Sequence, residues 1–242
     1  MRLRVIDIET TGAQPQEIIE IGTVDVVAHE GTWRVEAPRS RLFRPQGAIS
    51  VHAMAIHHLT PDDLAVADAP CTDATLIEAV RSSPAPDALV AHNASFESQY
   101  ISRNVTGPLA WICTMRAARH AWPDAPGHSN QVLRYWRGLR LDPQLAMPPH
   151  RAAPDAWVTA HILIELLQQA SVEDLLAWSK AARPLQRIPF GKYKGRDWSA
   201  PPVHYLKWLV EEPEMEREVV DRAQAELQMR ALPSRPVQAS PL

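Results

Sequence analysis

Apolar and polar residues alternate from Leu3 to Glu9, and Ile and Val dominate Glu17 to Val27, so each run predicts a strand. The turn residues Thr11, Gly12 and Pro15 separate them, and Thr32 to Arg44 supplies a third strand, giving an antiparallel meander. After Pro45 the period changes. Thr72 caps a helix to about Arg81, Asp87 to Ala91 is a short buried strand, and Ala94 to Arg103 is a helix. Leu109 to Cys113 is another strand, and Thr114 opens another helix. From Ala152 to Gln169, Trp157, Ala160, Ile164 and Leu167 recur at helical spacing with Pro154 in the first turn, and a further helix runs from Val172 to about Ala182. Strands alternating with helices imply parallel pairing. The expected class is therefore α/β, a mixed five-stranded sheet flanked by helices on both faces.

Arg183 and Pro184 introduce a different composition. They divide the chain into a main domain, 1–184, a small basic C-terminal extension, 185–232, and a tail, 233–242, whose three prolines and missing apolar period predict disorder. At 242 residues the chain suits one generous domain with an appendage. Its 45% hydrophobic and 22% charged residues are those of a globular protein with a real core. The longest apolar runs, such as Leu109 to Cys113, fall far short of the roughly 20 residues of a membrane span. The N-terminus opens into a strand rather than an export signal, so the expectation is a soluble, cytoplasmic protein with no membrane partner. Cys71 and Cys113 have neither disulfide nor metal spacing.

The net charge of −3 argues against indiscriminate coating of nucleic acid, but the distribution is uneven. Ile101 to Arg140 holds six Arg against the single acid Asp124. Lys180 to Trp208 holds seven Lys and Arg against Asp197, including all four lysines. Glu211 to Arg230 reverses the sign, with seven acids against three Arg. Such blocks are often solvated faces, so the motifs must decide.

Asp7 and Glu9 are one residue apart on a strand and project to the same face. Alone, this pair fits an exposed acidic edge as well as it fits chemistry. His92-Asn93-Ala94-Ser95-Phe96-Glu97 passes from a strand end into a helix and puts a third carboxylate in its first turn. Asp155 lies in the first turns of another helix, with His150 in the loop before it. Hydrolysing a phosphodiester requires charge neutralisation at the attacking and leaving oxygens, which two divalent ions supply. Oxygen ligands of this kind suit Mg²⁺ or Mn²⁺.

In this order, Asp7-Ile8-Glu9-Thr10-Thr11-Gly12, His92 to Glu97 and His150-x4-Asp155 resemble the three motifs of the DEDDh (DnaQ-like) 3′ to 5′ exonucleases. Glu20-Ile21-Gly22, Ala53 to Thr60, Trp111 to Met115 and Phe190 to Gly195 are similar to the exonuclease X branch of that superfamily. The resemblance implies a ribonuclease H-like fold, two ions per site, and release of nucleoside 5′-monophosphates from DNA 3′ ends, single-stranded and duplex. It assigns the metals to Asp7, Glu9, Glu97 and Asp155, with Asp7 bridging and Glu97 acting through water, and the attacking water to His150. The family has Asp where this chain has Glu97. The extra bond, about 1.5 Å, is absorbed by rotating the carboxylate of a ligand that acts through water. Two other readings stay open: the same chemistry on RNA, or a nucleic-acid-binding module whose catalysis Glu97 has weakened.

Around the metals, Thr10 and Thr11 are expected to offer backbone N–H groups to the 3′ terminus, and Asn93 and Phe96 to shape the terminal nucleotide pocket. Asn93 equally suits a structural place at a helix N-terminus. His57 resembles a position near the substrate cleft. In the extension, Lys192, Lys194 and Arg196 lie on a Gly-bounded turn beside Phe190, Tyr193 and Trp198 and are expected to contact DNA phosphates, where an exposed Tyr or Trp would stack on a base. Trp208 and Leu209, at helical spacing with Tyr205, read as core.

Overall fold

In the computed structural model, which describes residues 1–12, 14–180, 187–212, 215 and 217–231, the chain divides into two compact units, Met1–Ala181 and Ala182–Leu242. The expected boundary at Arg183 and Pro184 and the expected tail at 233–242 lie outside the described residues. The first unit is organised by β1 (Arg2–Thr10), buried from Leu3 to Ile6 and alternating only from Asp7 onward. That change marks where the strand leaves the core and one face opens onto other chemistry. It pairs antiparallel with β2 (Ile18–His29).

The stretch from Thr32 to Arg44 is two strands rather than one, β3 (Thr32–Val35) and β4 (Arg39–Leu42), both antiparallel to β2. Pro38 lies between them and has no N–H to continue a ladder. The sheet consequently has six strands, one more than expected. β1 pairs in parallel with β5 (Ala88–Ala91), and β5 with β6 (Trp111–Cys113), giving the order β3-β2-β1-β5-β6 with β4 also on β2.

The helices are α1 (Val51–His57), α2 (Pro61–Leu64), α3 (Asp73–Arg81), α4 (Ala94–Tyr100), α5 (Arg103–Thr106), α6 (Thr114–Ala121), α7 (Asn130–Trp136), α8 (Pro143–Ala146), α9 (Ala152–Leu167) and α10 (Val172–Lys180). One sheet face packs Leu3, Val5, Val24 and Val90 against Ala156, Ala160 and Leu163 of α9. The other packs Ile6, Ile8 and Leu89 against Leu76 and Val80 of α3. Helices therefore cover both faces. No helix among the described residues is long and apolar enough to cross a membrane.

The start of α9 lies directly on β2. A Cβ at Gly22 would collide with the Ala152 carbonyl, so glycine is required for this close approach. Among the six arginines in the basic stretch before α9, Arg116 donates to the Ser179 carbonyl, Arg137 pairs with Glu165, and buried Arg134 donates to the Ala146 carbonyl.

In the second unit, α11 (Val203–Glu211) and α12 (Arg217–Ala231) share a core of Ile188, Trp198, Leu206, Leu209, Val219 and Ala223. Arg230 donates to the Trp198, Ser199 and Pro201 carbonyls and so ties the end of α12 to the segment before α11. Two sequence expectations change here. Trp208 is 45% exposed, because Leu206 and Leu209 already fill the buried face of α11, and Trp198, at 2%, is core and presents no ring to solvent.

Candidate active site

Leu3, Val5, Asp7 and Glu9 share one face of β1. Leu3 and Val5 belong to the core built on α9, so the two carboxylates continue that line towards the helix start, where Asp155 stands in the first turn. Asp7, Glu9 and Asp155 each offer an oxygen, and these atoms all lie within 4.8 Å of one another. The β1–β2 register shifts between Glu9 and Thr10, an irregularity of the kind that re-aims side chains at a site.

Glu97 sits in the first turn of α4, only 3% exposed, and its Oε2 is buried with no hydrogen-bond partner. It is outside the 4.8 Å trio, yet its charge acts on Asp7. Burial pushes Glu97 up to about 8. Burial, then the charges of Asp155, Glu9, Glu97 and Glu20, hold the Asp7 carboxyl well above its ordinary 3.8. Asp155 is also raised by burial, against the opposing pull of the His150 N–H and ring, Gln131 and Arg134. Crowded carboxylates in which one buried oxygen has no donor are the environment that a hard divalent cation satisfies, and the residues fit such ions.

His150 is exposed, in the left-handed backbone region at φ 60°, and its N–H donates to Asp155 Oδ2 at 2.7 Å. Asp155 Oδ1 accepts from Gln131 Nε2 at 3.2 Å, and Asn130 Nδ2 donates to the Asp155 carbonyl and to Thr159 Oγ1. The helix that supplies Gln131 and Asn130, α7, was not apparent in the sequence, and neither was their part in the site.

Glu20 is the second contribution that sequence reasoning left without a role. It stands directly opposite Glu9 across the β1–β2 ladder, a like-charge pairing that is unfavourable by itself. Arg151 resolves it, donating from Nε and Nη2 to the Glu20 carboxylate at 2.9 and 3.0 Å. The Ala152 N–H and Ser40 hydroxyl add two more bonds. Burial alone would raise Glu20, but these donors outweigh it and hold the carboxyl below its ordinary 4.5. Glu20 thereby fixes the first residues of α9, and with them Asp155. The Glu20-Ile21-Gly22 motif was the visible signal, one residue clamping the helix and another making room for it.

The remaining expected residues fall in different places. Thr11 is fully buried, its N–H donated to the Glu17 carbonyl, so that donor is not available to a 3′ terminus as the sequence reading expected; Thr10 is buried at the end of β1. Asn93 is the N-cap residue of α4 without a side-chain cap bond, and its Oδ1 accepts from Ser95 Oγ. Phe96 packs edge-on against Tyr100 with centroids 5.1 Å apart. His57 is buried, accepts from the Leu59 N–H through Nδ1, lies beside the Thr10 backbone, and is lowered by burial below its ordinary 6.5. His92 contacts Thr114 Oγ1 and the His128 carbonyl, and burial pushes it down to about 4, a neutral strut beside the start of α4. Lys192, Lys194 and Arg196 are exposed in the second unit, around a 3₁₀ turn at Gly191–Tyr193, with the Lys192 ammonium 5.8 Å from the Tyr193 ring centroid.

Residues 5–163 match the RNase_T family, whose description is exonuclease. Exodeoxyribonuclease 10 of Escherichia coli strain K12 is 35% identical over 212 residues, covering 86% of this chain and 90% of the relative. Among solved structures, exonuclease X in complex with 5′ overhanging duplex DNA shares 36% identity at a TM-score of 0.58, covering 73% of this chain and 99% of that one. The nuclease domain of 3′hExo, a DEDDh family member bound to rAMP, matches in fold at 20% identity and a TM-score of 0.56, covering 70% of this chain and 92% of that one. By the family match over most of the first unit and by the identity to a relative covered nearly end to end, this chain is a nuclease of the RNase_T exonuclease family.

Proposed function

We propose that the chain is a metal-dependent 3′ to 5′ exodeoxyribonuclease that releases nucleoside 5′-monophosphates from single-stranded and duplex DNA ends. The observation that carries this reading is the trio of Asp7, Glu9 and Asp155 oxygens within 4.8 Å, with buried Glu97 acting on Asp7. The name of the E. coli relative and the DNA duplex in the exonuclease X structure support DNA as substrate.

Asp7, Glu9 and Asp155 would hold Mg²⁺ or Mn²⁺, two ions per site, with Glu97 as the outlying ligand. Bound there, the ions neutralise charge on the attacking and leaving oxygens of the phosphodiester. The chain's own residues do the rest. His150 presents its ring to solvent beside Asp155 and accepts the proton of the attacking water at an imidazole nitrogen. Asp155 is kept in one orientation by donors on both oxygens, the His150 N–H and Gln131. Asn93 and Phe96, at the start of α4, border the terminal nucleotide, and Lys192, Lys194 and Arg196 of the second unit contact DNA phosphates.

Following one strand labelled at its 5′ end and the same strand labelled at its 3′ end tests this directly. The 3′ label should appear at once as mononucleotide while the 5′-labelled strand shortens stepwise. Mononucleotide from the 5′ label first, or internal cuts, would overturn the direction. A matched RNA strand decides the substrate, with slower turnover expected than on DNA. Replacing Lys192, Lys194 and Arg196 together by alanine should flatten the slope of log affinity against log salt on duplex by up to about 0.9 for each phosphate that these side chains neutralise.

A further inference from the structure

Among the described residues of the first unit, the large aromatic side chains left exposed are Tyr135 and Trp136, and both lie on α7. This is the helix whose first turn reaches the site, through Gln131 Nε2 on Asp155 Oδ1. Tyr135 follows Gln131 by four residues, so it shares that face about one turn, or 6 Å, further along. At 68% exposure its ring makes little use of the core.

What lies beneath the ring is unusual. The Arg134 guanidinium carbon is 5.2 Å from the Tyr135 centroid, and Arg134 itself is buried. Its Nη1 donates to Gln131 Oε1 and the Ala146 carbonyl, but no carboxylate among the described residues forms an ion pair with it, and its Nε is buried without a partner. Arg140 is exposed just beyond α7, while Arg137, stacked on Trp136 at 5.6 Å, is paired with Glu165. The nearest acid in sequence, Asp142, accepts from the Gln144 N–H at the start of α8. An aromatic face backed by a buried cation, whose charge also reaches Asp155, suits a flat, electron-rich group attached to an anionic chain.

We infer that Tyr135 is a stacking platform for an unpaired base of the strand whose 3′ end is being cut, with Arg134 fixing the ring and adding positive potential beneath it. The inference rests on the reading that this site takes a nucleic-acid strand. Tyr135 stands about 6 Å along α7 from the residue that contacts Asp155, a span comparable to two stacked nucleotides at about 3.4 Å each. On this inference a strand of several nucleotides lays a base on Tyr135, whereas a single nucleotide ester does not reach it.

The test compares wild type, Tyr135→Ala and Tyr135→Phe on two substrates in Mg²⁺, oligothymidylate and the p-nitrophenyl ester of thymidine 5′-monophosphate, with binding of labelled oligothymidylate measured by anisotropy in Ca²⁺. Tyr135→Ala should weaken oligothymidylate binding roughly 5- to 150-fold, the equivalent of one base stack. KM on that substrate should rise in step with kcat unchanged, ester hydrolysis should be unaltered, and Tyr135→Phe should behave as wild type. Unchanged binding in Tyr135→Ala overturns the inference, as does an equal loss on the ester, which would place the residue's effect at Asp155. Failure of the wild-type protein itself to bind or shorten oligothymidylate would instead sink the exonuclease reading on which the inference rests.

Discussion

Replacing Glu97 with Gln should make the metal-free protein less sensitive to alkaline pH while removing a proposed metal ligand. Glu97 is 3% exposed, and burial raises its carboxyl from the ordinary 4.5 to about 8. At 1.36 kcal/mol per pH unit this is a ceiling of roughly 5 kcal/mol against the ionised side chain, reduced by relaxation and by sharing of protons with Asp7 to about 2–5 kcal/mol. The folded state holds the proton that the unfolded chain has released. Stability attached to this group is therefore full below 4.5, falls as pH rises through the window from 4.5 to about 8, and is lost above it. Gln has no such titration. Its amide loses one acceptor and gains donors with no partner, a constant penalty of about 1–3 kcal/mol that cancels when one pH is compared with another. Urea unfolding in EDTA, across about pH 4 to 9, should show the difference in stability between variant and wild type moving by about 2–5 kcal/mol in favour of the variant. Saturating Mg²⁺ should shrink that movement for wild type, because a bound cation favours the ionised form. A difference constant over the whole range would refute the account of Glu97 as a buried, protonated carboxyl that metal ionises.

Asp155→Asn should abolish hydrolysis with the fold kept; activity above about a tenth of wild type in a protein of normal melting temperature would contradict its role as a metal ligand. His150→Ala should lower kcat by roughly 10² to 10⁴ with DNA affinity near wild type, and retention of the acidic limb of the pH–rate profile would exclude it as the base. Glu20→Ala removes four hydrogen bonds, three from the start of α9 and one from Ser40 of β4, and leaves the Ala152 N–H buried without a partner. It should cost about 2–4 kcal/mol by urea denaturation and lower Mn²⁺ affinity through Asp155; unchanged values for both would show that the clamp does not position that helix.

Asp7 and Glu9 were legible because alternation along a single strand is a local property, and Asp155 because a helix beginning at Ala152 places it in the first turn. The split of the third strand followed from Pro38, a residue visible in the sequence whose missing N–H ends one ladder before Arg39 begins the next. Glu20 was not legible as a clamp, since its role depends on the register that sets it opposite Glu9 and on Arg151, 131 residues away. Trp208 misled for a related reason: helical spacing with Tyr205 shows a shared face without saying whether that face is inside, and Leu206 and Leu209 occupy the inner one. The seven residues of α7 carry little periodicity of their own, and only contacts from Asn130 and Gln131 to α9 show that this helix belongs to the site.

The residues that build this site divide into those that repel one another and those that prevent the repulsion from opening the fold. Asp7, Glu9, Glu97 and Asp155 crowd negative charge, and the raised carboxyls of Asp7, Glu97 and Asp155 record the strain. None of the four holds itself in place. Asp155 is carried by a helix whose first residues are locked to β2 by Glu20 and by the missing side chain of Gly22, while Glu97 rides on a helix that begins beside the neutral strut of His92. Because the locks use glycine, an ion pair and a backbone donor rather than the crowded carboxylates themselves, occupation of the proposed metal site would leave the scaffold intact. Substitutions at the ligands should accordingly separate activity from stability, and substitutions at the locks should lower both together.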